Sequence, residues 1–342
     1  MTRKHLLGIL LSLSAGLFVA CQSGSKKAET ADFDRVIDTI TELELGKMLY
    51  FDPRLSSDGT ISCNSCHNVM NGGTDNRSFS AGVKGQLGGR NSPTVFNATF
   101  LSVQFWDGRA PSLKEQAKGP LINPVEMGNK NHDEVIARLE KIPGYVQAFK
   151  SVYPGSSSLN IENLATAIAA YEKTLVTLNS KFDQFNAGDE TAFNDLEKKG
   201  WETFKSVGCT TCHSGAHFAG PQLPEGQGFY MKFPTFPKGH NYDKKYKFTK
   251  DKGRYDVTKN KGDMHMFRVP TLRNVALTAP YFHNGAVKSL DEAVRVMAKV
   301  QLNKDLTDEQ VKELVTFLNT LTGSIPVQTM PVLPPTKNYT LF

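Results

Sequence analysis

The sequence is poor in cysteine and in net charge, with five Cys and a formal charge of +6 in 342 residues. It has no apolar run long enough to span a bilayer, because the run at residues 6–20 is shorter than a membrane-spanning helix requires. No alternating strand pattern is strong, and this predicts a mainly α fold. A charge excess this small gives no reason to expect nucleic acid as a partner.

The chain begins with an export signal at residues 1–20, in which two basic residues precede the apolar run. The run ends at Cys21 and resembles a bacterial lipobox, which implies cleavage before Cys21 and lipid attachment to its thiol. Residues 21–32 are polar and predict a flexible tether. We therefore expect a periplasmic protein that is lipid-anchored at Cys21. Gln22 is not the residue that retains lipoproteins in the inner membrane, which favours the outer one. A plain signal peptide followed by a stray cysteine is the alternative.

The strongest signal is a repeated pentapeptide, Cys63-Asn64-Ser65-Cys66-His67 and Cys209-Thr210-Thr211-Cys212-His213. Two thiols at this spacing can each bond one vinyl group of a porphyrin, and the adjacent His is then placed to ligate the iron. A zinc site would bring its cysteine pairs within roughly 15 to 20 residues, whereas these lie 146 residues apart. A thioredoxin-like dithiol would leave both trailing histidines unexplained. The sequence thus predicts two covalently bound c-type haems.

The mature chain of 322 residues is long enough for two domains with one haem each. We place these domains at residues 33–182 and 183–324, with an extended tail at 325–342. Long irregular stretches follow each pentapeptide, and we expect these loops to wrap the haems. Helical periodicity predicts helices at 33–50, 133–142, 145–152, 160–178 and 190–207, and after capping boxes at Ser289 and Thr307.

Five further motifs are specific. They are Leu45-Gly46-Lys47, Phe51-Asp52-Pro53-Arg54-Leu55-Ser56, Gly89-Arg90-Asn91-Ser92-Pro93-Thr94, Gln104-Phe105-Trp106-Asp107-Gly108-Arg109-Ala110, and Pro270-Thr271-Leu272-Arg273-Asn274-Val275 with Ala279-Pro280-Tyr281-Phe282-His283. Together with the pentapeptides they resemble the bacterial dihaem cytochrome c peroxidases of the CCP/MauG superfamily, over residues 41–323. The resemblance implies two cytochrome c-like haem domains, of which the N-terminal one reacts with peroxide and the C-terminal one transfers electrons.

The resemblance implies that His67 ligates the first iron and that His213 and Met297 ligate the second. From the sequence alone, Met297 lies on an apolar helical stripe and core packing would be favoured. A His/Met pair raises the reduction potential, which suits the iron that first accepts electrons. His283 is the competing ligand, and its alternative role is a loop histidine that bonds a propionate or a carbonyl.

The resemblance assigns catalytic roles to Trp106, Glu126 and Gln116. Trp106 matches a tryptophan that bridges the two haems, although a core aromatic in a turn is the plain interpretation. Glu126 and Gln116 match the pair that faces the peroxidatic haem, where a carboxylate can move a proton between the two peroxide oxygens. Without the resemblance, Glu126 would be taken for a solvated loop acid.

The resemblance also implies a calcium ion between the domains, held by Asn91, Thr278 and Pro280. Calcium accepts neutral side-chain and backbone oxygens of this kind. The local signal is weak because two of the three residues would act through their backbone.

One position departs from the family. Most members carry a histidine sixteen residues after the first haem-binding His, where it caps the resting iron, and here that position is Val83. Valine cannot ligate iron, and the next histidine, His132, stands at a helix start where capping is its expected role. We therefore expect an N-terminal haem that is open at rest and needs no reductive activation.

We thus expect a peroxidase that reduces hydrogen peroxide to water with electrons from a small cytochrome c or cupredoxin. A MauG-like oxidase of a protein substrate is one alternative, but that group has Tyr in place of Met297. A dihaem electron carrier without catalysis is another, and it would need a protein ligand on both irons. A homodimer is an arrangement that the resemblance allows. The lysines at 244–252 predict a solvated loop, with a docking patch for an acidic redox partner as the alternative.

Overall fold

The computed structural model describes residues 39–336 and residue 342 of the chain. The predicted signal peptide, the lipidation at Cys21 and the tether at 21–32 therefore lie outside the described residues. Within the described part, no helix combines the length and the apolar character that crossing a membrane requires.

The described chain is mainly helical, as predicted, with a single two-stranded antiparallel ribbon in its second half. The α-helices are α1 Glu42–Phe51, α2 Cys63–Cys66, α3 Leu113–Ile122, α4 His132–Glu140, α5 Pro143–Val152, α6 Ile161–Glu172, α7 Lys181–Asn186, α8 Asp195–Val207, α9 Tyr242–Tyr246, α10 Tyr255–Thr258, α11 Leu290–Leu302 and α12 Asp308–Asn319. The strands are β1 Tyr230–Lys232 and β2 Met266–Arg268, and short 3-10 turns occupy Pro53–Leu55, Val83–Gly85, Ala98–Phe100, Cys209–Thr211, Phe248–Lys250, Lys261–Asp263 and Val275–Leu277.

The first hydrophobic core forms where α1 crosses α6. A capping box opens α1, in which the Thr41 hydroxyl accepts from the Glu44 N–H and the Glu44 carboxylate accepts from the Thr41 N–H. Gly46 lies at the crossing, where a Cβ atom would stand 1.8 Å from the carbonyl oxygen of Ala167. Because glycine has no Cβ, the two helix backbones can touch here.

The second half repeats this arrangement with α8 and α12. Capping boxes at Asn194 and Thr307 open the two helices. Gly200 lies at their crossing, where a Cβ atom would stand 2.2 Å from the carbonyl oxygen of Glu313. The surrounding core is rich in aromatic rings, with the centroids of Phe204 and Phe317 5.0 Å apart. Each half therefore places one close helix pair beside its pentapeptide.

The buried side chains group by their order along the chain. One group takes residues between 40 and 175 and includes Leu333 of the tail as a partly buried member. A second group takes residues between 182 and 321, and a smaller third group lies between 248 and 300, under α11. This grouping follows the predicted order of two haem-bearing halves, while the domain bounds at 182 and 324 stay a prediction.

The loop predicted to run from residue 68 to about 132 contains a helix, α3. The Ser112 hydroxyl accepts from the Glu115 N–H at its start, and Pro120 lies near its end. This helix was not predicted because Gly119 and Pro120 interrupt an apolar stripe that is already weak.

One predicted cap was wrong, and one predicted capping box is only half formed. Asn131, and not His132, caps α4 by accepting from the Glu134 N–H, and the His132 ring lies against the carbonyl of Lys118. The Ser289 hydroxyl does accept from a backbone N–H of α11, but the reciprocal bond is missing. The Glu292 carboxylate that should make it accepts a hydrogen bond from the Tyr246 hydroxyl instead, at 2.6 Å.

Three predicted helices are shorter than expected. The one predicted at 33–50 is α1, which begins at Glu42, while residues 33–38 lie outside the described part. The one predicted at 160–178 is α6, which ends at Glu172, and the one predicted at 190–207 is α8, which begins at Asp195. Asn160 caps α6 as predicted, Asn194 caps α8, and the excess residues at 173–178 and 190–194 lie in turns and irregular segments.

The tail at residues 325–336 returns to the first half of the chain. Lys47 Nζ donates to the Thr329 hydroxyl at 3.1 Å, and Arg54 Nη1 donates to the Pro334 carbonyl at 2.8 Å. The tail thus packs against α1 and against the 3-10 turn at Pro53–Leu55.

We predict that Gly46→Ala and Gly200→Ala each destabilise the protein by about 1–3 kcal/mol or more, because the added Cβ atom forces two helix backbones apart. Urea unfolding measures this change. Gly89→Ala is the matched control, since a Cβ atom at Gly89 would meet no heavy atom within 4 Å. An unchanged unfolding midpoint for Gly46→Ala would show that the α1–α6 contact is not as close as described.

Candidate functional sites

The first attachment site is the single turn α2, which carries Cys63 and Cys66 at its two ends. Burial raises the pKa of both thiols, that of Cys66 to about 11, so they are neutral near pH 7. Zinc-binding and redox-active cysteines need a thiolate at this pH. The neutral thiols therefore disfavour a zinc site and a redox-active dithiol.

His67 follows directly and is held by two hydrogen bonds. Its Nδ1 lies 2.9 Å from the carbonyl oxygen of Pro93, and the Tyr50 hydroxyl donates to the His67 carbonyl at 2.7 Å. A carbonyl can only accept, so Nδ1 carries the proton and Nε2 keeps its lone pair. Burial lowers the pKa of His67 and so keeps the ring neutral. This is the form in which histidine ligates iron, with the second nitrogen fixed by a backbone acceptor.

The second attachment site repeats the pattern in a different setting. His213 Nδ1 lies 3.0 Å from the carbonyl oxygen of Phe218, and burial again lowers the pKa of the ring. Cys209, Cys212 and His213 line one cavity with Met297 of α11. The other walls are mostly apolar, as a porphyrin face requires. The nitrogen and sulfur donors and the apolar walls fit a c-type haem.

Met297 and His283, the two candidates for the second ligand of this iron, both line this cavity. His283 is buried, lines the same cavity, and its Nε2 has no hydrogen-bond partner in the described structure. Burial lowers the pKa of His283 to about 4, and its ring stacks on Phe267 with centroids 4.4 Å apart. Met297 and His283 thus line the same cavity as His213, and the assignment of Met297 as the iron ligand stays a prediction.

Trp106 lines the same cavity as His213 and Met297, which we call the second cavity, and hydrogen bonds join it to both halves of the chain. Its indole N–H donates to the Asn91 carbonyl at 2.8 Å, and its own carbonyl accepts from the Arg268 N–H at 2.8 Å. The Asn91 N–H in turn donates to the His283 carbonyl at 2.7 Å. Residues 91–93, which we call the bridging segment, thus contact Trp106 and His283 through Asn91 and the first site's His67 through Pro93.

A set of ion pairs that the sequence analysis did not identify surrounds Trp106. Arg90 pairs with Asp251 at 2.7 Å and also with Asp107, which follows the tryptophan. Asp107 accepts from Arg109 as well. Arg90 belonged to a recognised motif, but its partner Asp251 is 161 residues away and no local pattern pairs them.

Glu126 and Gln116 lie on one helix-and-turn unit. Gln116 is half-buried on α3, and the turn that carries Glu126 folds back on the end of this helix, with the Met127 N–H donating to the Pro120 carbonyl at 3.3 Å. Asn123 Nδ2 donates to Glu126 Oε1 at 2.8 Å. Burial raises the pKa of the Glu126 carboxyl, against a lowering influence from Arg109. Its charge also acts on Cys66, which places it on the side of the first attachment site.

Val83 lies in a closed loop against the same turn. Its N–H donates to the Glu126 carbonyl at 2.9 Å, and its side chain is only 2% exposed. A Cβ atom at Gly128 would stand 2.7 Å from Val83 Cγ2, so the valine packs closely against that glycine. The Gly82 N–H closes the loop on the Gln86 carbonyl at 2.8 Å.

The three residues expected to bind calcium all line the cavity that contains His213. Asn91 Nδ2 donates to the Arg77 carbonyl at 2.8 Å, which leaves its Oδ1 as the free acceptor. Thr278 and Pro280 approach from the other half. Within residues 39–336 and 342, no group of three or more His, Cys, Asp or Glu side chains could hold a metal ion. A calcium site here would depend on neutral oxygens.

Glu172, the last residue of α6, was not predicted as a site residue. It is buried, and its Oε2 has no partner in the described structure. Burial raises its pKa to about 8, and its charge acts on Cys63 and on Tyr50. A protonated carboxyl group therefore lies beside the first attachment site. The one signal in the sequence is a charged residue that ends an otherwise apolar stripe.

We predict that Glu172→Gln makes stability less dependent on pH. The ordinary pKa of Glu is about 4.3, so between about pH 4.3 and pH 8 the unfolded chain is ionised at this residue while the folded one stays protonated. The free energy of unfolding then falls by up to ~1.4 kcal/mol per pH unit as pH rises, and levels off above pH 8.

Urea unfolding at pH 5.5, 7 and 8.5 tests this prediction. In Glu172→Gln, most of the decrease in the free energy of unfolding with rising pH should disappear. In Glu140→Gln, at an exposed position of α4, the decrease should remain. Equal pH dependence in the wild type and in Glu172→Gln would contradict the prediction.

Comparison with known proteins gives a consistent assignment. A family model described as "Di-haem cytochrome c peroxidase" matches residues 41–191. A cytochrome c551 peroxidase from Nitrosomonas europaea is 44% identical over 342 residues, covering 99% of this chain and 98% of that one. A cytochrome c551 peroxidase from Pseudomonas aeruginosa is 44% identical over 317 residues, covering 89% and 88%.

The solved structure of a MauG-like protein associated with microbial copper homeostasis is similar to this chain in fold. It has a TM-score of 0.71 and 27% sequence identity, and the match covers 82% of this chain and 89% of that one. The resemblance that the motifs carried is thereby confirmed. The chain belongs to the di-haem cytochrome c peroxidase family and is a peroxidase with two haems.

Proposed function

We propose that the protein reduces hydrogen peroxide to two waters with electrons from a small cytochrome c or cupredoxin. The observation that carries this proposal is the difference between its two attachment sites. The second site holds His213 in one cavity with a candidate sulfur ligand, Met297. The first site has a half-buried carboxyl, Glu126, on its side, and a valine where the family's capping histidine would stand.

In the proposed sites, Cys63, Cys66 and His67 hold the first haem, and Cys209, Cys212, His213 and Met297 hold the second. When bound, the two haem irons supply the redox chemistry of peroxide reduction. The presence of Met297 favours a peroxidase over a MauG-like oxidase, for which the resemblance expects Tyr at this position.

Glu126 is the proposed acid and base. Reduction of hydrogen peroxide consumes two electrons and two protons, and the second oxygen must leave as water. A carboxylate beside the bound peroxide takes a proton from one oxygen and returns it to the other. Burial raises the pKa of Glu126 toward neutrality, and the Asn123 amide fixes its orientation. Gln116, on the same unit, is the proposed hydrogen-bond donor to peroxide.

Trp106 is the proposed residue through which the two sites communicate. Its indole N–H donates to the Asn91 carbonyl of the first half, and its backbone carbonyl accepts from the Arg268 N–H of the second half, so the residue is held by both halves of the chain. Calcium at Asn91, Thr278 and Pro280 would stiffen the same wall. A periplasmic location with a lipid on Cys21, and a homodimer, complete the proposal from the sequence and the resemblance.

Val83 supports a first site that is open without prior reduction. A valine cannot ligate iron, and here it is buried against Gly128 with its N–H on the Glu126 carbonyl. The loop at residues 81–87 therefore packs against the Glu126 turn through the valine, and we infer that it leaves the iron uncapped.

The first test measures oxidation of a reduced donor cytochrome by hydrogen peroxide. We expect turnover by the wild type, and a fall in kcat/KM for peroxide of ~100-fold or more in Glu126→Gln, because proton transfer contributes this much. Glu140→Gln should behave as the wild type. Absence of donor oxidation by the wild type would remove the peroxidase proposal, and an unchanged rate in Glu126→Gln would remove this role for Glu126.

The second test is EPR of the fully oxidised protein together with turnover that starts from that state. We expect a high-spin ferric signal from one haem, and donor oxidation without a lag or prior half-reduction. Low-spin ferric signals alone at both haems would show that another ligand closes the first site and would overturn the inference from Val83.

A further inference from the structure

One segment carries the whole formal charge excess of the chain. Residues 232–263, which we call the basic lobe, contain ten basic residues against four aspartates, a formal charge of +6. The formal charge of all 342 residues is also +6, so the other 310 residues balance. The basic residues are Lys232, Lys238, Lys244, Lys245, Lys247, Lys250, Lys252, Arg254, Lys259 and Lys261.

The lobe turns its positive charges outward. All nine of its lysines are exposed. Three of its four aspartates are partly buried and bonded: Asp243 accepts from the Thr249 hydroxyl, Asp251 from Arg90 and Asp263 from the Thr258 hydroxyl. Among the described residues, Lys245 is the lobe lysine that pairs with a carboxylate, Glu292 at 3.3 Å. The outer surface of the lobe is therefore almost uniformly positive.

Two lysines of the first half are instead paired with carboxylates. Lys114 and Lys118 both pair with Glu162, and Lys118 also pairs with Glu115. The opposite charges of such a pair cancel at a distance, so they add little to the field around the protein. Because the 310 residues outside the lobe have no net formal charge, the net field that an approaching molecule meets is set mainly by the basic lobe.

The lobe packs directly on the second attachment site. The Phe236 N–H donates to the Val300 carbonyl at 2.8 Å, and Gln301 Nε2 donates to the Lys232 carbonyl at 3.0 Å, which fastens the lobe to α11. Phe233 of the lobe lines the same cavity as Met297 and His213. A molecule that docks on the lobe therefore lies over the second site and not over the first.

We propose that the basic lobe is the docking surface for the electron donor, and that this donor is a small redox protein with an acidic face around its redox centre. This inference rests on the proposed peroxidase function and specifies its partner. Opposite charges would accelerate encounter and orient the donor toward the second cavity. An anionic membrane surface would also bind lysines, but it would not account for the contact between the lobe and the cavity.

The test compares two variants that lose the same charge. Lys232, Lys238, Lys244 and Lys250 are changed together to Gln in the lobe, and Lys130, Lys141, Lys150 and Lys173 are changed together to Gln in the control. All eight lysines are exposed, and none pairs with a carboxylate among the described residues. Three donors are used with peroxide: a reduced acidic single-haem cytochrome c, a reduced basic one and a neutral phenol.

For the wild type we expect kcat/KM with the acidic cytochrome to exceed that with the basic one, and to fall about tenfold or more between ~10 mM and ~500 mM salt, as the Debye length shrinks from about 30 Å to a few Å. The lobe variant should lose about tenfold at low salt and most of the salt dependence, and it should oxidise the phenol as the wild type does. The control variant should change less than about twofold.

Equal loss in the lobe and control variants, or a wild-type preference for the basic cytochrome, would overturn the docking proposal. Co-sedimentation with anionic-lipid vesicles that depends on the lobe lysines, with donor kinetics unchanged, would overturn it in favour of a membrane contact. If the wild type fails to oxidise even the phenol, the peroxidase proposal fails separately. Calorimetric titration with the oxidised acidic cytochrome then still tests docking, since lobe-dependent, salt-sensitive binding is required.

Discussion

The hydrogen bond between His67 Nδ1 and the Pro93 carbonyl is the constraint on which the arrangement of both sites depends. It fixes the tautomer and the plane of the first histidine. Two residues earlier, Asn91 accepts from the indole of Trp106 and donates to the carbonyl of His283, in the wall of the second cavity. One short backbone segment therefore sets the geometry of both sites, and moving either site would disturb the other.

The two halves use the same local construction for different chemistry. Each begins from a helix crossing that only glycine permits, at Gly46 and at Gly200, and each follows it with a histidine whose Nδ1 is held by a carbonyl. The two sites differ in the residue that another part of the chain brings to each of them. α11 brings Met297 to the second site, while the turn after α3 brings Glu126 toward the first.

The predictable part of this structure is what lies in local sequence. The two pentapeptides and most helices followed from spacing and periodicity, and the family resemblance singled out Met297, which lines one cavity with His213. The Pro93 acceptor did not, because a backbone carbonyl leaves no trace in residue identity. Glu172 and the ion pair of Arg90 with Asp251 did not either, because burial and partners distant in sequence appear only in the folded chain.

Charges of both signs act on the first attachment site, whereas the ionised group that acts on the second is positive. Asp75, Glu126 and Arg77 act on Cys66, and Lys304 acts on Cys209. A nearby carboxylate favours the more positive, oxidised state of a redox group, and a nearby ammonium disfavours it. The basic lobe adds to the effect of Lys304, and Glu172 favours oxidation at the first site only above about pH 8, where it ionises. Under the proposed function, in which electrons enter at the second site, the positive charges beside that site would favour their entry.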